Sequence, residues 1–150
     1  MITWENKEEW LEKLPCRSQV MFGLFCALQV RELWEVNDDY VKSIKTVERW
    51  LEGEATVEEC RNASCIAHGT SMWGPHGYAI NAAANAVYAA YAAAYPDSGR
   101  YVHHYANAAA NAIDKFGESI KQEQVEYLRE LYLETLPEEH RNNWLVQACL

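Results

Sequence analysis

Basic side chains are scarce in this chain: 13 Lys and Arg stand against 22 Asp and Glu, a formal net charge of −9. Holding a nucleic-acid backbone requires clustered Lys and Arg that displace its counterions, so direct nucleic-acid binding is not expected. An acidic surface attracts a basic protein partner over long range instead. Catalytic signatures are missing too. There is no Gly-x-Ser-x-Gly elbow, no His-Glu-x-x-His and no glycine-rich phosphate loop. A nucleophile drawn from Cys65 and His68 rests on residue types alone, so the expectation is a non-enzyme without cofactor.

The five cysteines are odd in number, form no Cys-x-x-Cys pair, and follow a charged, amphipathic start, "MITWENKEEW". Reduced thiols in a cytoplasmic protein are expected. No metal site is expected either. Cys60, Cys65 and His68 fall on one helix at irregular spacing, and a buried thiol commonly behaves as a small hydrophobe. His103 and His104 are adjacent and point in different directions, so at most one should join any site. Asp, Glu, Lys and Arg are absent from Trp73 to Pro96. That stretch is mostly alanine with Asn and Tyr, and its transfer energy is too small for a membrane span.

What remains is helix, since no segment sustains strand alternation. Thr3 caps a first helix ending at Pro15, with Trp4, Trp10, Leu11 and Leu14 apolar. A buried helix is expected from about Arg17 to Glu35, because "VMFGLFCAL" is apolar nearly all round. Asp38 opens a third, whose stripe is Val41, Ile44, Val47, Trp50 and Leu51, with Gly53 as its C-terminal cap. Thr56 and Glu59 form a capping box, and that helix fades from Gly69 to Gly77. A fifth helix stops at Pro96. Asp97 or Ser98 caps a sixth ending near Gly117, Ser119 and Gln122 open a seventh, and a short one follows Pro137. The expected fold is all-α: one antiparallel helical bundle of seven or eight helices over residues 1–150.

"INAAANAV" at 80–87 returns as "ANAAANAI" at 106–113, with six of eight positions identical. Small side chains let helix backbones approach closely, so the repeat reads as an alanine-rich central hairpin with Ala83, Ala84, Ala109 and Ala110 near the contact. Asn81 and Asn85 share a helical face with Tyr88; His103, Asn107, Asn111 and Asp114 share another. These amides either form a structural ladder or wet face, or line a polar groove for a nucleotide or similar small ligand. Trp73 and His76, in a loop-like "MWGPHG", are candidate partner anchors, since aromatics on loops serve that role. The acidic runs "ENKEEWLEK" and "LETLPEEH" read as solvated faces.

"FCALQVRELWE" at 25–35, "VERWLEGEATVEECR" at 47–61 and "IAH" at 66–68 precede the alanine-rich helices and a closing "QEQVEYLREL". That order resembles immunity-protein family five of bacterial polymorphic toxin systems, most specifically at Trp50 to Glu59. The chain departs from the family pattern at 68–77. The resemblance implies a cytoplasmic, all-helical protein that blocks a toxin by binding it, or, in relatives carried by bacteriophages, a host defence protein. It carries no catalytic residues over. The leading expectation is therefore an inhibitor with a basic protein partner, and the alternative is a binder that sequesters a nucleotide or signalling molecule. The oligomeric state is left open, a homo-oligomer included.

Overall fold

The computed structural model describes residues 1–68, 74–95 and 99–150. Among them run ten α-helices, two 3-10 turns and no strand. The helices are α1 Lys7–Lys13, α2 Cys16–Gln29, α3 Arg31–Trp34, α4 Asp38–Leu51, α5 Val57–His68, α6 Gly74–Ala94, α7 Val102–Ala112, α8 Glu118–Thr135, α9 Glu138–Arg141 and α10 Trp144–Cys149. The 3-10 turns, Gly99–Tyr101 and Asp114–Phe116, lead into and out of α7. The all-α bundle is as expected, and α3 and α9, single turns of four residues, account for the extra elements. Asp97, Ser98 and Trp73 lie outside the described residues.

Local chemistry explains the helix ends. The Thr56 hydroxyl accepts from the Glu59 amide at 3.1 Å, and the Glu59 carboxylate accepts from the Thr56 amide at 3.4 Å, which is the reciprocal box the spacing predicts. Arg49 of α4 clamps the same carboxylate at 2.6 Å and holds its pKa below the ordinary value. At the end of α4, Gly53 adopts φ +79, its amide reaches Trp50 O at 3.0 Å, and Glu54 N reaches Arg49 O at 2.8 Å. This is the Schellman closure, and glycine alone enters it without strain. Thr56→Ala is expected to cost about 1 kcal/mol, read as a lower denaturant midpoint at unchanged slope.

Four boundaries differ from expectation. The first helix, α1, begins at Lys7 behind Asn6 rather than behind a Thr3 cap. The buried helix does not run to Glu35: Val30 leaves helical geometry at φ −119, ψ 25. The indole of Trp34, 2% exposed, donates at 2.7 Å to Ala27 O, a carbonyl in the last turn of α2 whose backbone partner is the longer Val30 amide contact at 3.3 Å. Next, α6 begins at Gly74 rather than after Gly77. Pro75 thus falls in its first turn, where a missing N–H costs nothing. Finally, α8 starts at Glu118 behind Gly117, at φ +117, with no side-chain cap from Ser119.

The core is built around α2. Val20, Phe22, Gly23, Leu24, Cys26 and Ala27 are buried, and α2 packs on α6, α7, α4 and α8. The most extensive helix pair is α6 with α7, which confirms the hairpin. Ala82, Ala83, Ala86 and Ala89 of α6 and Ala106, Ala109 and Ala110 of α7 are fully buried. Gly23 sits where three helices meet: a Cβ built there would lie 3.5 Å from Ala106 Cα and 3.7 Å from Ala86 Cα. At the far side of α2 a chain of amides ties α8 in. The Trp4 indole donates to Gln124 Oε1 at 3.0 Å, Gln124 donates to Gln29 Oε1 at 3.1 Å, and Gln29 donates to Glu123 at 2.9 Å.

Candidate functional site

The two asparagine pairs do not meet. Because the alanines bring α6 and α7 together, the polar stripes flank that contact and diverge from it. Asn81 is exposed and Asn85 turns its amide back to Asn81 O at 2.8 Å. The α7 stripe faces α1 instead: Asn107 Nδ2 donates to Glu8 Oε2 at 3.0 Å, and Lys7 Nζ donates to Asn111 Oδ1 at 2.7 Å. A single groove of Asn81, Asn85, Tyr88, His103, Asn107, Asn111 and Asp114 is therefore not formed. The run "ENKEEWLEK" is only partly solvated, since Lys7 is buried and Glu8 is engaged.

Tyr88 and His103 each line a cavity, and the two cavities adjoin. The first, of about 380 Å³, is walled by Ser64 and Cys65 of α5, Tyr88, Tyr91 and Ala92 of α6, and Tyr101 and Tyr105 at the start of α7. Its origin is a change of side-chain size along the hairpin. Alanine holds the backbones together in the middle, and tyrosines at one end fill the space to either side. Tyr88 and Tyr105 lie with ring centroids 5.7 Å apart, a tilted aromatic contact of ordinary strength. Burial raises the Tyr88 phenol above its usual pKa, so it enters the cavity as a neutral hydroxyl. Of these tyrosines only Tyr88 stands out in the sequence pattern; Tyr91, Tyr101 and Tyr105 do not. The available signal was tyrosine recurring at 88, 91, 95, 101 and 105, on both sides of one turn.

The second cavity, of about 430 Å³, is lined by Glu8, Glu9 and Glu12 of α1 and by Arg100, Tyr101, His103 and His104. Tyr101 belongs to both. His104 Nδ1 pairs with Glu8 Oε1 at 2.7 Å. His103 and His104, expected to point apart, lie with ring centroids 4.1 Å apart. Both occupy the first turn of α7, where side chains lean toward the helix N-terminus; two successive rings there flank the groove beside α1. Glu8, His103 and His104 bring one ligand atom each within 4.8 Å of one another.

Of the remaining candidates, Cys65 joins the wall of the first cavity, and Cys60, His76 and Asp114 line neither of the two. Cys60 is buried and Cys65 exposed, and burial raises the Cys60 thiol to about 11, which keeps it protonated. His76 is exposed and faces the corner between α3 and α4, near Trp34, Val36 and Asp38. Asp114 sits half-buried in the 3-10 turn after α7. Among the described residues no helix is long and apolar enough to cross a membrane. No protein-family model, no curated protein and no solved structure matches this chain.

Proposed function

We propose that this chain is a binding protein without catalysis of its own, an inhibitor that occludes a basic protein partner through the end of the hairpin where the two cavities join. The observation that carries the reading is Tyr101, shared between a tyrosine-walled slot and a cavity rimmed by Glu9 and Glu12. A large apolar or aromatic side chain of the partner fills the slot, as interface anchors do. A neighbouring Lys or Arg meets the exposed carboxylates of Glu9 and Glu12, and the net charge of −9 speeds the encounter. Arg100 belongs to the same rim but lies over the Tyr101 ring, 4.7 Å from its centroid. The ring face stabilises the guanidinium without cancelling its charge, and the carboxylates of Glu8, Glu9 and Glu12 outnumber it around the cavity. Occlusion of a toxin or host defence protein is the activity that the resemblance to immunity-protein family five implies, and cytoplasmic action follows from the same reading.

A small planar molecule is the second reading. It is favoured by the size of the tyrosine slot, which is within the usual range for ligand sites. Among its described lining residues none is basic, so the slot suits an uncharged ring better than a phosphate-bearing nucleotide. One experiment separates the two. Tyr101 is 44% exposed, so Tyr101→Ala leaves the fold intact. Purification from the native host is expected to retrieve one protein in stoichiometric amount with the wild type, and to lose at least about tenfold in affinity with Tyr101→Ala. Raising salt is expected to slow association in the wild type and less so in Glu9→Gln/Glu12→Gln. Retrieval of a small molecule in place of a protein, with a matching rise in melting temperature, would replace the first reading by the second.

A further inference from the structure

We propose that Glu8, His103 and His104 form a binding site for a divalent first-row metal ion, with Zn²⁺ the best fit. The inference does not rest on the partner reading, since it uses neither the tyrosine slot nor Glu9 and Glu12. Two imidazoles and one carboxylate are the donor set that suits zinc among common cations. Their ligand atoms already fall within 4.8 Å of one another. Two ligands on one tetrahedral zinc stand about 3.3 Å apart, from bond lengths near 2.0–2.1 Å, so side-chain rotation closes the set without moving either helix.

The state of each ligand adds to this. The His103 ring is buried, 9% exposed, and among the described residues it makes no hydrogen bond, although it lines the second cavity. Neither of its nitrogens is among the described buried atoms sealed off without a partner, so the ring meets the cavity with a nitrogen available to a cation. Glu8 Oε1 is paired with His104 Nδ1, and its other oxygen, Oε2, is held by Asn107 Nδ2 at 3.0 Å. A cation entering between Oε1 and Nδ1 takes a neutral His104 ring as ligand: a doubly protonated ring releases one proton to solvent, and a neutral ring carries its proton on Nε2. Asn107 then acts as the outer partner that orients the carboxylate, the usual arrangement around metal ligands. Three protein ligands leave at least one coordination position, and it opens on the cavity, where water or a donor atom of an incoming molecule enters.

The test titrates Zn²⁺, and separately Co²⁺, into a Cys65→Ser/Cys149→Ser protein, which removes the exposed thiols. One equivalent per chain is expected by calorimetry, and Co²⁺ should show the visible bands of a low-coordinate N/O site. His104→Ala is a safe variant because its side chain is 58% exposed; Glu8→Gln keeps the shape of the carboxylate. Each is expected to weaken binding more than about a hundredfold, and Asn107→Ala by about ten- to a hundredfold, as loss of an outer partner does. Melting curves in chelator confirm that each variant is folded. Equal binding by the wild type, His104→Ala and Glu8→Gln would overturn the site, and so would the absence of any binding by the Cys65→Ser/Cys149→Ser protein.

Discussion

Gly23→Leu is expected to cost at least about 3 kcal/mol of stability, while Gly23→Ala is expected to be neutral or to add up to about 1 kcal/mol. The contrast follows from one set of distances. A Cβ at position 23 reaches ordinary van der Waals contact with Ala106 Cα at 3.5 Å and Ala86 Cα at 3.7 Å. One methyl group therefore fits, and it removes the entropic disadvantage of glycine inside a helix. Anything beyond Cβ has to enter the backbone of α6 or α7. Those helices cannot separate easily, because fully buried alanines line their mutual contact and close-packed interiors yield little. Ala109→Leu tests the same packing from inside the hairpin, at about 1–3 kcal/mol. Urea midpoints of the three variants measure the series. A Gly23→Leu protein as stable as wild type would mean that the three helices do not meet at this point.

The order and type of the elements were legible because each is set locally. Apolar stripes on α4 and α8, the Thr56–Glu59 box and the Gly53 cap all depend on residues within a turn of one another. The hairpin was legible for the same reason: alanine at contact spacing on two successive helices leaves few ways to pack. The site was not legible, because it depends on which helix covers the polar stripe of α7. The answer is α1, separated from it by about a hundred residues, and no periodicity encodes that pairing. One signal was present. Trp4, Lys7, Leu11 and Leu14 share a face, and Lys7 interrupts an otherwise apolar stripe. A lysine there has to find an acceptor, which it does in Asn111. The two histidines were misread because ideal helical angles separate neighbours, whereas first-turn side chains lean out over the helix end.

Lys7 gives the second large effect, on the pH dependence of stability. It is only 5% exposed, and its ammonium donates to Asn111 Oδ1 at 2.7 Å and Trp4 O at 3.2 Å, with the Trp4 ring centroid 3.7 Å away. Burial nevertheless wins: desolvation pulls its pKa down from 10.5 to about 8, against the opposing fields of Cys26, Glu8, Glu5 and Asp114. Between those two values the unfolded chain holds a proton that the folded protein has released. Stability therefore rises with pH across that window. From pH 7.5 to 9.5 the gain from this group is about 2 kcal/mol, at 1.36 kcal/mol per pH unit where the difference in bound protons is complete. Cys26 and Cys60 act in the opposite sense. Burial raises both thiols above 9.0, so the unfolded chain ionises first and stability falls as pH climbs past that value. The thiols are common to wild type and Lys7→Met, which replaces the ammonium by a thioether of similar length. Denaturant unfolding of both proteins at pH 7.5 and 9.5 isolates the lysine. The wild type is expected to gain about 2 kcal/mol relative to Lys7→Met over that interval. Parallel pH responses would show that Lys7 keeps its hydration in the folded protein, and the contact between α1 and the polar stripe of α7 would then be looser than the distances to Asn111 and Trp4 require.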